Sequence, residues 1–240
     1  MSTTGPPETS LGKEIMATAD VRILGHRGSP RQARENTVES FRIALLEGAD
    51  GFETDLRRLA DGTIAVFHDA AIDGVPIATM TIDSIRARVP DLATLDDLAT
   101  FSQRCTIVLE IKESGFEPEI LERVRGWNPE GRLILSSFRR QVIARLARLG
   151  SPFDLGLVTD EPMDDPLLAL REHSARWFFP HESLVTADLV GHLRTADIGV
   201  IPWTVNLQTM WGKLAEIGCN GWITDRPAES IQWRAAHTSG

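Results

Sequence analysis

A chain of 240 residues is close to the roughly 250 of a single α/β barrel, and its formal net charge of −9 argues against nucleic acid as a partner, since phosphate backbones call for basic surfaces. Two cysteines far apart, Cys105 and Cys219, exclude a disulfide framework and a cysteine-rich metal site, and point to a reducing cytoplasm. No run approaches the roughly 18–20 apolar residues of a membrane span.

Residues 1–20 contain Gly5-Pro6-Pro7, several Ser/Thr and acids and no continuous apolar core, so they read as a flexible tail rather than a signal peptide. Residues 21–240 read as one domain without low-complexity segment or linker. A short apolar strand around Ile23-Leu24 delivers His26 and Arg27, and a helix follows. Asn36, with Glu39 three residues on, has the signature of that helix's N-cap. The next strand carries Glu53 and Asp55 two residues apart, so both carboxylates point to one face. Asp61-Gly62 between alternating residues signals a two-residue hairpin turn; with that register Asp55 lies directly across from His68.

Thr79 to Arg88 and Thr94 to Ser102 read as helical, broken at Pro90. Thr106 to Lys112 is a strand on which Glu110 and Lys112 share a face. Helix Phe116–Gly126 leads to a strand at Arg132–Ser136, and apolar residues at 142, 143, 146 and 149 mark a helix stopped by Gly150. Strands follow at Asp154–Val158, Arg176–Phe179, Gly199–Val205 and Gly221–Thr224, separated by helical stretches at about 165–173, 187–196 and 207–217, with a last helix after Pro227. Eight strands alternating with helices specify a closed parallel (β/α)8 TIM barrel rather than an open sheet. His26, Glu53, Asp55, Glu110, Lys112, Trp203 and Asp225 fall at carboxyl ends of those strands, the face on which such barrels carry their sites.

The residue types suit phosphoryl chemistry. Hard carboxylate oxygens suit Mg²⁺ or Ca²⁺, an arginine beside a metal suits a phosphate, and two histidines can act as acid and base around neutrality. Each has a plainer alternative: Glu110 paired with Lys112, a histidine in a structural hydrogen bond, Trp203 in the core.

Gly25-His26-Arg27-Gly28, Glu35-Asn36-Thr37, Glu53-Thr54-Asp55 and His68-Asp69 resemble the opening motifs of the glycerophosphodiester phosphodiesterases. The likeness continues through Leu109-Glu110-Ile111-Lys112, Ser136-Ser137-Phe138, Trp203-Thr204-Val205-Asn206 and Gly221 to Pro227, in the family's order. It implies a metal-dependent hydrolase that releases glycerol 3-phosphate and an alcohol from a small phosphodiester. Glu53, Asp55 and Glu110 would hold one Mg²⁺ or Ca²⁺, with His26 and His68 as acid and base. Arg27 and Lys112 would hold the phosphate, Trp203 would stack on the substrate, and Glu35 and Asn36 would support the site from behind. Two departures stand out. Arg34 replaces the family's usual proline, and the segment after His68-Asp69, roughly residues 70–93, is an abbreviated insertion without the usual Arg-Thr-Thr run. The insertion would shape the head-group pocket, which leaves two further readings open: phospholipase-D-like cleavage of lysophospholipids, and a non-catalytic metal- or phosphate-binding module.

Overall fold

The computed structural model describes residues 21–127 and 132–237; the expected tail, residues 1–20, lies outside them. The chain runs β1 (Arg22–His26), α1 (Val38–Leu46), β2 (Gly51–Arg58), β3 (Ile64–Val66), β4 (Ala71–Ile72), β5 (Val75–Pro76), α2 (Ile82–Arg86) and β6 (Thr106–Ile111). It continues through α3 (Glu117–Val124), β7 (Leu133–Ser137), α4 (Arg140–Arg148), β8 (Asp154–Thr159), α5 (Pro166–Glu172) and β9 (Trp177–Pro180). Last come α6 (Ala187–Arg194), β10 (Gly199–Val200), α7 (Gln208–Glu216), β11 (Gly221–Thr224) and α8 (Pro227–His237).

The parallel strands follow the order β10-β9-β8-β7-β6-β2-β1-β11. Backbone hydrogen bonds from Asn220 N to Val200 O and from Ile223 N to Pro202 O bring the two ends together, so the sheet curls into the expected barrel. The seventh strand is shorter than the run Gly199–Val205 suggested, because Pro202 has no N–H to give to a ladder.

Alternation along the strands sorts the side chains. Leu24, Val108, Ile134, Val158, Trp177, Phe179, Ile201 and Ile223 fill the barrel interior. The larger core lies between sheet and helices; α4 contributes Val142, Ile143 and Leu146, whereas Leu149, which the spacing had included, is exposed. Two residues beyond the interior layer, on the same faces, stand His26, Glu110 and Ser136. The mouth of the barrel is therefore the next layer of a packed interior.

The hairpin after β2 departs from the sequence expectation. Leu59 N bonds Thr63 O at 2.8 Å and Gly62 N bonds Leu59 O at 3.1 Å, so Ala60-Asp61-Gly62 make a three-residue loop. Gly62 supplies its left-handed residue, with φ +83°. The register shifts by one: Leu56 pairs with Val66, and Phe67, not His68, donates its N–H to the Asp55 carbonyl at 3.0 Å. The chain leaves the ladder after Val66, so His68 lies outside the strand. The insertion that follows is a small hairpin, β4–β5, and α2, packed through Leu59, Ala65, Ile77, Met80, Ile85, Val89 and Leu92. Residues Leu95–Phe101 are helical in 3-10 form.

Gly25 closes the β1 turn tightly: a methyl there would lie 2.2 Å from the Gly28 carbonyl oxygen. Gly25→Ala should therefore force the backbone apart, costing about 1–3 kcal/mol. A fall in the urea midpoint without a change of slope would show it, and an unchanged midpoint would refute the close approach.

Candidate active site

The β1 turn positions the first two residues. Gly28 N donates to Gly25 O at 3.3 Å, and Arg27 takes a left-handed φ of +55°. Left-handed backbone on a residue other than glycine costs energy and collects at functional positions. His26 then points into the barrel mouth and Arg27 lies over β2.

Register brings the acids to them. His26 pairs with Glu53 across β1–β2, and Asp55 pairs with Glu110 across β2–β6. Ligand atoms of Glu53, Asp55 and Glu110 all lie within 4.8 Å of one another, and all three residues are buried. Lys112 Nζ sits 2.8 Å from Asp55 Oδ1 and 2.7 Å from Glu110 Oε1, and Arg27 Nε is 3.2 Å from Asp55 Oδ2. Arg27 also donates to Glu35 Oε1 at 2.9 Å, as expected if Glu35 orients it.

Asn36 corrects the sequence reading. The N-cap of α1 is Thr37, whose side chain accepts from Ser40 N. Asn36, at φ +58°, is turned inward: its Nδ2 donates to Asp55 Oδ2 at 2.8 Å and its Oδ1 accepts from Thr54 Oγ1 at 2.7 Å. A Glu-Asn-Thr triplet offers two capping candidates, and the buried Asp55 claims the amide.

The carboxylates differ in charge state. Burial works against ionising Asp55, but Lys112, Arg27 and the Asn36 amide outweigh it and hold its pKa below the ordinary value. Glu53 is less well supported: burial and the Asp55 charge outweigh the pull of His26 and Lys112 and push it up to about 8. Its Oε2 is buried with no hydrogen-bond partner among the described residues. An acidic trio with an orphaned carboxylate oxygen is a donor set that fits a hard cation.

Behind His26 stands a relay absent from the sequence assignments of role. His26 Nδ1 meets Asp225 Oδ1 at 2.7 Å, and Asp225 Oδ2 accepts from Asn206 Nδ2 at 2.7 Å. Asn206 Oδ1 in turn accepts from Asp225 N at 2.9 Å. Burial disfavours the imidazolium, yet the carboxylates that face the ring, Asp225 foremost, prevail and the His26 pKa is raised. The charged ring thus adds stability below its unfolded value of about 6.5, a contribution lost as pH rises through the folded value.

His68 reaches the same mouth from the hairpin exit. Its carbonyl accepts from Arg57 Nε at 2.8 Å, while Arg57 Nη1 donates to Glu113 Oε2 at 2.7 Å. Its Nδ1 meets Asp69 Oδ1 at 2.8 Å. Arg57 was not anticipated; nothing in the local pattern separates it from Arg58, which is exposed.

Both histidines open on one cavity of about 250 Å³. His26, Arg27, Glu53, His68, Glu110 and Lys112 line it together with the apolar Val108, Phe138, Val158, Phe179, Trp203 and Ile223. Trp203 donates Nε1–H to Phe179 O at 3.0 Å and meets Phe138 edge to face at 5.5 Å. A larger recess of about 350 Å³ lies at the opposite end of the barrel, among Arg132, Asp154, Arg176 and Asp197, and brings no histidine to its acids.

Residues 26–229 match the Glycerophosphoryl diester phosphodiesterase family. A glycerophosphodiester phosphodiesterase of Bacillus altitudinis is 26% identical over 89% of this chain and 98% of its own. Among solved structures, a putative glycerophosphoryl diester phosphodiesterase of Silicibacter pomeroyi superposes with a TM-score of 0.81 at 23% identity, covering 90% of this chain and 93% of that one. An Oleispira antarctica phosphodiesterase, solved in complex with the product sn-glycerol-3-phosphate, gives 0.79 at 23% identity over 88% and 96%.

The Asp225 bond should be visible in solution. In Asp225→Asn the His26 ring loses the carboxylate that favours its charged form, so it should titrate lower than in wild type. Ring-proton NMR through the pH range checks this; an unshifted or higher value would refute the pairing.

Proposed function

Because the chain belongs to the glycerophosphoryl diester phosphodiesterase family, we propose that it hydrolyses glycerophosphodiesters to glycerol 3-phosphate and an alcohol, using His26 and His68 for proton transfer and a divalent metal for charge. The observation that carries this reading is one cavity lined by both histidines, Glu53, Glu110, Arg27 and Lys112, with Asp55 buried against the two glutamates.

The phosphate docks against Arg27, which offers a planar fork, and Lys112, a compact charge; both favour the extra charge of the transition state. One histidine takes the proton of the attacking oxygen, from water or a neighbouring hydroxyl of the glycerol, as that oxygen bonds to phosphorus. The bond from phosphorus to the departing alkoxide breaks, and the other histidine gives that oxygen a proton. With Nδ1–H committed to Asp225, His26 presents Nε2 to the cavity. Glu53, Asp55 and Glu110 would hold the ion, Mg²⁺ or Ca²⁺ by the hardness of their oxygens. Its chemistry when bound is polarisation of a phosphoryl oxygen. The apolar wall, with Phe138 38% exposed, favours lysophospholipids as a second substrate class on the same residues.

Two outcomes follow for the metal. Chelation by EDTA should abolish turnover, and Glu110→Gln should nearly do so. Since Glu53 carries its proton up to about pH 8, an ion must displace it, and Mg²⁺ or Ca²⁺ affinity measured by calorimetry should rise with pH toward that value. Full turnover in metal-free buffer, or an affinity flat with pH, would sink the assignment.

The histidines are tested through the leaving group. His26→Ala and His68→Ala should each lose about 10²–10⁴-fold in turnover while the barrel stays folded by circular dichroism. A nitrophenyl ester, whose leaving group needs no proton, should rescue only the variant that lacks the general acid. Rescue of both or of neither would rule out separate roles.

A further inference from the structure

We propose that this site selects phosphodiesters whose alcohol carries a positive charge, choline or ethanolamine, with Asp160 as the residue that recognises it; the inference rests on the hydrolase reading above. Asp160 follows β8 and lines two adjoining cavities, the catalytic one and an outer one of about 180 Å³, which also share Phe138 and Val158. It is exposed and makes no hydrogen bond or ion pair with any described residue. The local turn holds it there: Glu161 N donates to Thr159 Oγ1 at 3.2 Å, and Thr159 Oγ1 donates to Glu161 O at 2.8 Å.

Charge is divided across the catalytic cavity. Arg27 and Lys112 follow β1 and β6, whereas Asp160 follows β8, the neighbour of the strand that leads to Phe138. The outer cavity also holds Arg140 and Glu161, and among the described residues no ion pair joins Asp160 to a cation. Phe138 and Trp203 line the same cavity. Lys112 Nζ is 5.9 Å from the Phe138 ring centroid, so a phosphate held by Lys112 is next to that ring. The ester arm that leads away from the phosphate over Phe138 ends beside Asp160. An alkylammonium suits such a place twice: aromatic faces attract a weakly hydrated cation, and the carboxylate supplies the opposite charge. A neutral polyol gains neither.

The test compares glycerophosphocholine, glycerophosphoethanolamine and glycerophosphoglycerol in wild type and Asp160→Asn. Asp160 is exposed, so its substitution leaves the fold intact. For the two cationic substrates KM should rise about 3–10-fold relative to glycerophosphoglycerol, the range expected of an exposed charge pair joined to a cation–π contact. The kcat values should hold, because Asp160 takes no part in the proton transfers or in holding the phosphate. Wild-type preference for the cationic pair should also shrink as salt is raised. An equal rise on all three substrates would overturn the proposal, since Asp160 would then serve the glycerol arm they share. No rise on any would overturn it as well. If wild type hydrolyses none of the three, the hydrolase reading fails instead. Calorimetric binding of glycerophosphocholine to both proteins then decides Asp160: weaker binding to the variant supports its role, and equal binding refutes it.

Discussion

The site is organised around the buried carboxylate of Asp55. At 1% exposure it could not remain ionised alone, since moving a charge out of water costs several kcal/mol even after relaxation. Lys112 from the end of β6, Arg27 from the β1 turn and Asn36 from the approach to α1 compensate it together. Three separate parts of the chain are thereby held at one point. Removing any one leaves a buried charge short of a partner, so the arrangement stands or falls as a unit. The same web sets the neighbours' states: with Asp55 charged, Glu53 resists ionisation, and its Oε2 is left without a hydrogen-bond partner among the described residues.

Much of this was legible in the chain because barrel chemistry and strand periodicity coincide. Leu24, Val108 and Ile134 are ordinary interior residues, and the positions two further on carry His26, Glu110 and Ser136. A reader who finds the apolar runs therefore also finds the mouth. The pairing of Asp55 with Glu110 follows from adjacent parallel strands. The hairpin register did not follow, because Asp-Gly serves a two-residue turn and a three-residue loop equally well. Only the Leu59–Thr63 bond decides between them. Asn36 was misread for a similar reason: its neighbour Thr37 caps as well, and the buried acid that competes for the amide lies 19 residues away. Arg57 and the Asp225–Asn206 pair act through contacts between distant segments, which periodicity along a single strand does not encode.

The one-residue shift in register has a structural consequence. Had His68 stood opposite Asp55 inside the ladder, the strand would have dictated its position. Instead it lies beyond Val66 and is tied to the barrel through its own carbonyl by Arg57, which is tied in turn to Glu113 beside Lys112. His26 is held differently, at a strand end with a carboxylate behind it and 19% of its side chain exposed, against 38% for His68. One histidine sits on the rigid barrel and the other on a loop whose only strand bonds end one residue earlier. If the two exchange protons with opposite faces of a substrate, the loop-borne one has the freedom to admit it.

Stability and function pull against each other at this mouth. A pocket filled with apolar side chains would avoid the cost of burying Glu53, Asp55, Glu110, Arg27 and Lys112, and replacement of buried ion pairs by packed hydrophobes is often neutral or stabilising. The chain retains the charges, and it leaves Glu53 Oε2 unsatisfied where a hydrogen-bond donor could have been supplied. A ligand that binds only the folded state returns stability in proportion to the logarithm of its concentration over its Kd. A cation at Glu53 would relieve the repulsion among the acids and satisfy the orphaned oxygen in one step.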